Sequence, residues 1–351
     1  MSLAASESRI EKIAHTFEYF AYHEFNLVSP LYEKFSLGIV NDPELLELAT
    51  YVRPGQPVPN LFLGVSHYLL LKGVAHPLAK FYPDLTPDPE QNEDPYPYFH
   101  SFYLEHYATI KELLEMRLVQ TNEVRRCALL LPAFGLASAD APTRPLAMLE
   151  IGPSAGLNLL WDSYGYSYND GQKYGESHAP LQLTCEVKGE VPPPIPAALP
   201  PINFRLGLDL NPIDVRDDDA TLWLQALIWP GQTYRTALLE QALAVARQNP
   251  PLLLKGNALD LLPAVLESVP LDATLCLFHS HTLNQFEAQA RAQLSQILVQ
   301  HSAQRNLYRV ALEYKGQDNV LSLFSYKQGV ESGRDLAHSI GHANWIRWIA
   351  S

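Results

Sequence analysis

The chain has 351 residues, 47% of them hydrophobic, and sets 25 Lys+Arg against 38 Asp+Glu for a formal charge of −13. Its length predicts two domains rather than one core, and so negative a balance excludes a broad electrostatic grip on nucleic acid or an anionic membrane. Cys127, Cys185 and Cys276 are too dispersed for a disulfide framework or a zinc site; without a leader-like start or a run near the ~20 apolar residues that span a bilayer, a cytoplasmic protein is expected.

From Arg9 to about Gly135 apolar residues recur at helical spacing, first Ile10, Ile13, Phe17 and Phe20, then Leu61, Val65, Tyr68, Leu69 and Leu71. Asp42-Pro43-Glu44 reads as a helix start with proline in its first turn. Residues 83–97 form a proline-punctuated, acidic connection before a helix that begins near Phe99. Residues 113–131 read as one amphipathic helix carrying the polar run Gln120-Thr121-Asn122-Glu123, then Arg125 and Arg126. His67, His76, His100 and His106 fall in this half, as packing or surface residues or as the lining of a substrate pocket. Residues 137–145 are a small-residue linker, so the sequence divides into a helical cap domain over 1–140 and an α/β domain over 141–351.

The α/β half opens on Leu149-Glu150-Ile151-Gly152-Pro153-Ser154-Ala155-Gly156-Leu157-Asn158-Leu159, a buried strand ending in an acid, a glycine turn and a new helix. Gly152 lets the chain reverse, Ser154 is placed to cap the helix, and Gly156 lets it pack closely while backbone N–H groups face an anion. Similar junctions in other α/β proteins bind nothing. A short helix over 157–163, alternating Tyr164, Tyr166 and Tyr168, a turn at Asn169-Asp170-Gly171, a strand over 181–187 and the proline-rich 192–201 follow. Residues 164–202 therefore read as an insertion. Strands are then expected over 204–210, 252–254, 274–278, 307–314 and 320–326, the last two a hairpin across Gly316-Gln317-Asp318-Asn319. Helices are expected over 218–229, 233–248 and 287–301. Such alternation predicts a mostly parallel sheet with an antiparallel C-terminal edge.

A dinucleotide needs G-x-G-x-x-G in the first turn, and Ser154 stands where the middle glycine would be; no GxxxxGK[ST] loop is present. The carboxylate end of S-adenosylmethionine needs only a helix start and a few N–H groups. Asp209 and Asn211 in GLDLNP end the next strand. Asp209 follows Glu150 by 59 positions, of which the 39-residue insertion leaves about 20, the spacing of a ribose-binding acid. Asn257 and Asp260 in GNALDLLP follow the third strand, where either suits an adenine amino group.

LEIG with Ser-Ala-Gly, GLDLNP, GNALDLLP and LCLFHSHTLNQF together resemble the successive motifs of Rossmann-like S-adenosylmethionine-dependent methyltransferases, over about residues 147–351. Two positions depart from that pattern, which usually has glycine at Ser154 and an acid at Asn257. Over most of its length the chain also resembles a bacterial family of uncharacterised proteins, a domain of unknown function marked by VQTNEVRRC, LEIGPSAGLNLLWD, LDLNPIDV and FHSHTLNQF. The first resemblance implies a Rossmann-like sheet, with Glu150, Gly152, Ser154, Gly156, Asp209, Asn211, Asn257 and Asp260 around S-adenosylmethionine.

His279-Ser280-His281 emerges at the carboxyl end of an apolar strand, where open α/β sheets hold ligands. His281, before His279, suits a general base, with Asn284 and Gln285 to fix the substrate. The same His-x-His pair can instead hold a metal with His338, His342 or a carboxylate, or be purely structural. Asn122 and Arg126, four apart on a helix, can reach the cofactor carboxylate together or form a solvated face, and Asn158 and Asp162 are a similar pair. Tyr164, Tyr166, Tyr168, Trp223, Trp229, Trp345 and Trp348 read as packing residues. The expected function is methyl transfer from S-adenosylmethionine to a small molecule held between the two domains, with no nucleic-acid or membrane partner. The alternatives are a catalytically inactive binding or regulatory protein of the same fold and a metal-dependent hydrolase using His279 and His281. Oligomeric state is left open.

Overall fold

The computed structural model describes residues 3–120, 122–169, 171–176, 178–316, 318–341 and 343–350. Thr121, Asp170, Gln317 and His342, named above, lie outside the described residues. The helices are α1 (Leu3–Phe20), α2 (Pro30–Ile39), α3 (Pro43–Ala49), α4 (Val58–Leu71), α5 (Tyr96–Glu105), α6 (Tyr107–Met116), α7 (Arg126–Ala139), α8 (Asp218–Ala226), α9 (Thr233–Gln248), α10 (Ala258–Ser268) and α11 (Ala288–His301). The strands are β1 (Leu146–Ile151), β2 (Gly165–Ser167), β3 (Lys173–Gly175), β4 (Gln182–Thr184), β5 (Glu186–Val187), β6 (Ile202–Asp209), β7 (Leu253–Lys255), β8 (Thr274–Ser280), β9 (Leu307–Lys315), β10 (Asp318–Lys327), β11 (Val330–Ser339) and β12 (Trp345–Trp348). The fold is α/β. Two compact units divide the chain, residues 1–121 with 217–237 and residues 122–216 with 238–351.

The first unit is helical. Phe17, Phe35, Phe62, Phe99 and Tyr103 are buried at its centre together with Trp223 and Trp229. Phe35 stacks on Phe99 with centroids 4.2 Å apart. Asp42 caps α3 as its sequence suggests, Oδ1 accepting the N–H groups of Glu44 and Leu45 at 3.1 Å, with Pro43 in the first turn. The continuous helix expected over 113–131 is broken between Met116 and Arg126. The intervening backbone is held by side chains instead: Val119 N–H donates to Gln56 Oε1 (2.8 Å) and Trp223 Nε1–H donates to Leu118 O (2.8 Å).

In the second unit nine strands form one sheet among the described residues, in the order β5-β12-β11-β10-β9-β8-β1-β6-β7. β7, β6, β1, β8 and β9 are parallel, and β9 to β12 form the antiparallel edge. The carboxyl ends Ile151, Asp209, Lys255 and Ser280 thus lie along one edge, where ligands of such sheets bind. Because side chains alternate along strands, Leu149, Ile151, Leu206, Leu208, Leu275 and Leu277 pack against Leu262, Val265, Leu266, Leu294 and Leu298 of α10 and α11. The other face meets α7 and the 3-10 turn Leu157–Ser163, where Phe134 lies 5.2 Å from Phe278 and 5.0 Å from Trp161 between ring centroids.

Between β1 and β6 the chain builds a small sheet in the order β3-β2-β4, and β5 joins the large sheet beside β12. Tyr164, Tyr166 and Tyr168 are buried there, their hydroxyls donating to Leu157 O (2.8 Å), Trp161 O (2.5 Å) and Ala128 O (2.7 Å). The three cysteines are free and buried. No helix among the described residues is long and apolar enough to cross a membrane.

Candidate functional site

The glycine turn after β1 is held by the protein's own polar groups. Gly152 N–H donates to Leu208 O (2.9 Å), Ser154 N–H to Asp209 Oδ2 (2.8 Å) and Gly156 N–H to Pro153 O (2.8 Å). Asn122, with its amide oriented to satisfy both ends, donates to Pro153 O (3.2 Å) while its oxygen accepts Ala155 N–H (3.2 Å) and the Ser154 hydroxyl (2.6 Å). Gly152, Ser154 and Gly156 all have positive φ (73°, 53° and 73°), so Ser154 occupies a backbone region that favours glycine. The space around the turn is filled: a Cβ on Gly152 would lie 2.5 Å from Thr282 Oγ1, and one on Gly156 would lie 2.6 Å from Pro251 Cγ.

Asp209 ties three strand ends together. Besides Ser154 N–H, its carboxylate accepts Asn211 N–H at Oδ1 (2.8 Å), and its carbonyl accepts Gly256 N–H (2.8 Å) from the end of β7. Asn257 caps α10, its Oδ1 accepting Leu259 N–H (3.0 Å), and Asp260 is exposed in the first turn of that helix. The nitrogen of the Asn257 amide therefore suits a ligand better than its oxygen, which is spent on the cap.

Glu150 sits beneath the turn, 2% exposed, with Oε2 lacking a hydrogen-bond partner. Burial and the nearby negative charge of Asp209 push its carboxyl up to about 8, against the opposing pull of the Asn158 amide and Arg126. Asn158 in turn accepts the Cys127 thiol at Oδ1 (3.2 Å). Burial, then the charge of Glu150, raises that thiol well above its ordinary value, so Cys127 is a packing residue rather than a nucleophile. Asp162 turns away to form a two-bond fork with Arg205 (2.9 and 2.8 Å).

The two histidines after β8 have different surroundings. His279 pairs in register with Ile151 and lies on the face of Leu275 and Leu277, opposite Glu150 and Phe278. It is 1% exposed, Nδ1 lying 2.7 Å from Glu313 Oε1 and Nε2 3.4 Å from Arg309 Nη1. Burial lowers its pKa despite the opposing carboxylate, so this ring is a neutral structural link. His281 has φ 54°, donates its N–H to Leu312 O (2.9 Å) and stands edge-on to Tyr314, centroids 4.6 Å apart. Asn284 is exposed beside it.

The fold thus brings Asn122, Gly152, Ser154, Gly156, Asp209 and Asn211 into direct hydrogen-bonded or turn contact, with Glu150 and Arg126 electrostatically coupled nearby. Asn257, Asp260, His281 and Asn284 lie at the same carboxyl edge on neighbouring loops. Glu313 is the residue that sequence reasoning missed. Its Oε1 accepts the N–H groups of Thr282 and Leu283 at 3.0 Å, and its Oε2 accepts Asn284 N–H at 3.3 Å, so it fixes the loop carrying His281 and Asn284. Burial alone would raise its carboxyl, but His279 and the N–H groups of Leu283 and Thr282 hold it below the ordinary range. Its signal was a lone acid inside the apolar strand Val310-Ala311-Leu312-Glu313, since acids are rarely buried unless paired.

No group of three His, Cys, Asp or Glu side chains among the described residues is arranged to hold a metal ion. His338 is engaged with Asp318 at 3.2 Å.

No curated protein and no solved structure matches the chain. A family model matches residues 14–348, nearly the whole length, and its description is "uncharacterized protein conserved in bacteria". The chain belongs to this bacterial family, DUF2332.

Proposed function

We propose that the chain is an S-adenosylmethionine-dependent methyltransferase acting on a small molecule, with the nucleoside across the carboxyl ends of β1, β6 and β7. The observation that carries this reading is the Asp209 carboxylate, which stands at the tip of the strand beside β1 and accepts the N–H of Ser154 in the glycine turn. A carboxylate offers about four lone-pair sites. Two are taken by Ser154 and Asn211, which leaves acceptors for ribose hydroxyls.

Other residues fit the same group. The Asn257 amide nitrogen can donate to an adenine ring nitrogen, and the Asp260 carboxylate can accept its amino group. Glu150, neutral in the free protein, leaves Oε2 without a partner, a hydrogen-bonding atom for the amino group of the cofactor's amino-acid end. The N–H groups of Gly152, Ser154, Ala155 and Gly156 are engaged within the protein, so the carboxylate end falls to Arg126 rather than to the turn. When bound, the cofactor supplies an electrophilic methyl group. His281 would remove the proton of the attacking group and Asn284 would orient the acceptor, both on the loop that Glu313 fixes.

One observation favours a second reading, a binding protein of the same fold without catalysis: the turn is closed on itself, its N–H groups satisfied by Leu208, Asp209, Asn122 and Pro153. A thermal melt with S-adenosylhomocysteine and with S-adenosylmethionine tests both. Stabilisation by both ligands, followed by transfer of labelled methyl to a small-molecule extract, supports the first reading. Stabilisation without transfer supports the second, and no shift at millimolar ligand contradicts both.

A further inference from the structure

A cleft of about 280 Å³ opens beside the glycine turn, lined by the loop that follows β6 and by the segment that leads into β7. Its walls include Ala155, Pro212, Ile213, Val215, Pro251 and Leu253, and its two charged lining residues are Asp214 and Arg216. The absence of side chains at Gly156 and Gly207 shapes one wall. A Cβ on either would come 2.6 Å from Pro251 Cγ or Leu253 Cδ2 respectively, so the two glycines let these residues seat against the turn.

Arg216 is pre-oriented. Its Nε–H donates to Asp214 Oδ1 (3.0 Å), its Nη2 to Oδ2 (3.1 Å) and its backbone N–H to Oδ1 (3.0 Å). Two of the five guanidinium N–H donors are thereby used and three remain. Both side chains are exposed, so the pair itself adds little stability. What it does is hold a planar cation against an apolar slot in a protein of net charge −13. A guanidinium is suited to a carboxylate, and rigid proline and aliphatic walls are suited to an apolar body.

We propose that this cleft is a binding site for a small apolar monocarboxylate, an aryl or branched-chain acid, with the carboxylate on the free guanidinium edge of Arg216 and the body against Val215, Pro251 and Leu253. The site does not depend on the methyltransferase reading, because none of its lining residues belongs to the proposed nucleoside contacts.

Titration calorimetry of the full chain with 3-phenylpropionate, 3-phenylpropionamide and propionate tests it. Saturable binding of 3-phenylpropionate is expected, at least five-fold tighter than either the amide or propionate. Arg216→Gln should weaken it at least five-fold and Arg216→Lys by a smaller factor, while the melting temperature of both variants stays close to wild type. Absence of saturable binding, equal affinity for the acid and its amide, or an Arg216→Gln variant that binds as wild type would each overturn the proposal.

Discussion

The N–H of Ser154 donates to the carboxylate of Asp209 at 2.8 Å, so the glycine turn of one strand and the acid at the tip of its neighbour form one hydrogen-bonded unit. Asn211 N–H on the other carboxylate oxygen and Gly256 N–H on the Asp209 carbonyl extend that unit over β1, β6 and β7. Two backbone donors therefore rest on a single side chain.

Asp209→Ala removes the acceptor from both donors. Hydrogen bonds to a charged group contribute about 1.5–3 kcal/mol each at most, and water can replace part of the loss at this half-buried position. A destabilisation of about 2 kcal/mol in urea unfolding is expected, with Asp209→Asn costing less because its amide oxygen keeps one acceptor. An unchanged midpoint for Asp209→Ala would mean that the turn does not lean on this residue.

The glycines of the turn differ in what would repair their loss. Gly152→Ala brings a Cβ onto the Thr282 side chain, whereas Gly156→Ala meets the Pro251 ring and Leu253. Both positions also require positive φ, which costs a non-glycine residue roughly 1–2 kcal/mol. Total losses of about 2–4 kcal/mol are expected once crowding is added. Thr282→Ala should recover part of the Gly152→Ala loss and none of the Gly156→Ala loss, measured as a double-mutant cycle in chemical unfolding.

Glu150 links stability to pH. Its folded carboxyl titrates near 8 and its unfolded one near 4.5, chiefly because burial disfavours the charged form. The folded state therefore binds the proton more tightly, and its contribution is fully present below pH 4.5 and lost as pH rises through 8. Glu150→Gln cannot ionise. The stability of Glu150→Gln relative to wild type should rise across that window, by about 1.4 kcal/mol per pH unit at the steepest. Parallel pH profiles of the two proteins would contradict a buried, neutral Glu150.

Glu313 and His279 are coupled in the opposite sense for the histidine. Burial lowers the folded pKa of His279 below its ordinary 6.5, so the stability it confers is present above pH 6.5 and lost as pH falls through the folded value. Its ring resonances in NMR should show no titration near 6.5. Glu313→Ala strands the His279 ring and three backbone N–H groups, a loss of about 3 kcal/mol, since each buried donor left unsatisfied costs about 1–3 kcal/mol. Faster amide exchange at Thr282, Leu283 and Asn284 should accompany it, and unchanged exchange would show that the loop is held elsewhere.

Much of the sheet was legible because its strands are short apolar runs bounded by turn residues, as at Thr274-Leu275-Cys276-Leu277-Phe278. The continuous helix expected over 113–131 failed because the competing partners, Gln56 and Trp223, are distant in sequence. β11 was invisible because Val330-Glu331-Ser332-Gly333-Arg334-Asp335 is polar and largely exposed, and pairing with β10 makes it a strand. The position of Asp209 at a strand tip was legible, since the run Phe204 to Leu210 that carries it is a local feature of the sequence. The separation of His279 from His281 was not: it depends on the face each side chain takes and on Arg309 and Glu313 from the adjacent strand.

The most direct measurement of the central claim is titration calorimetry of wild-type protein and Asp209→Asn with S-adenosylmethionine. Saturable one-site binding to wild type, weakened at least ten-fold in a folded Asp209→Asn, is the predicted result. Absence of binding to wild type, or equal affinity for the two proteins, would contradict the assignment of Asp209 as the ribose-binding acid.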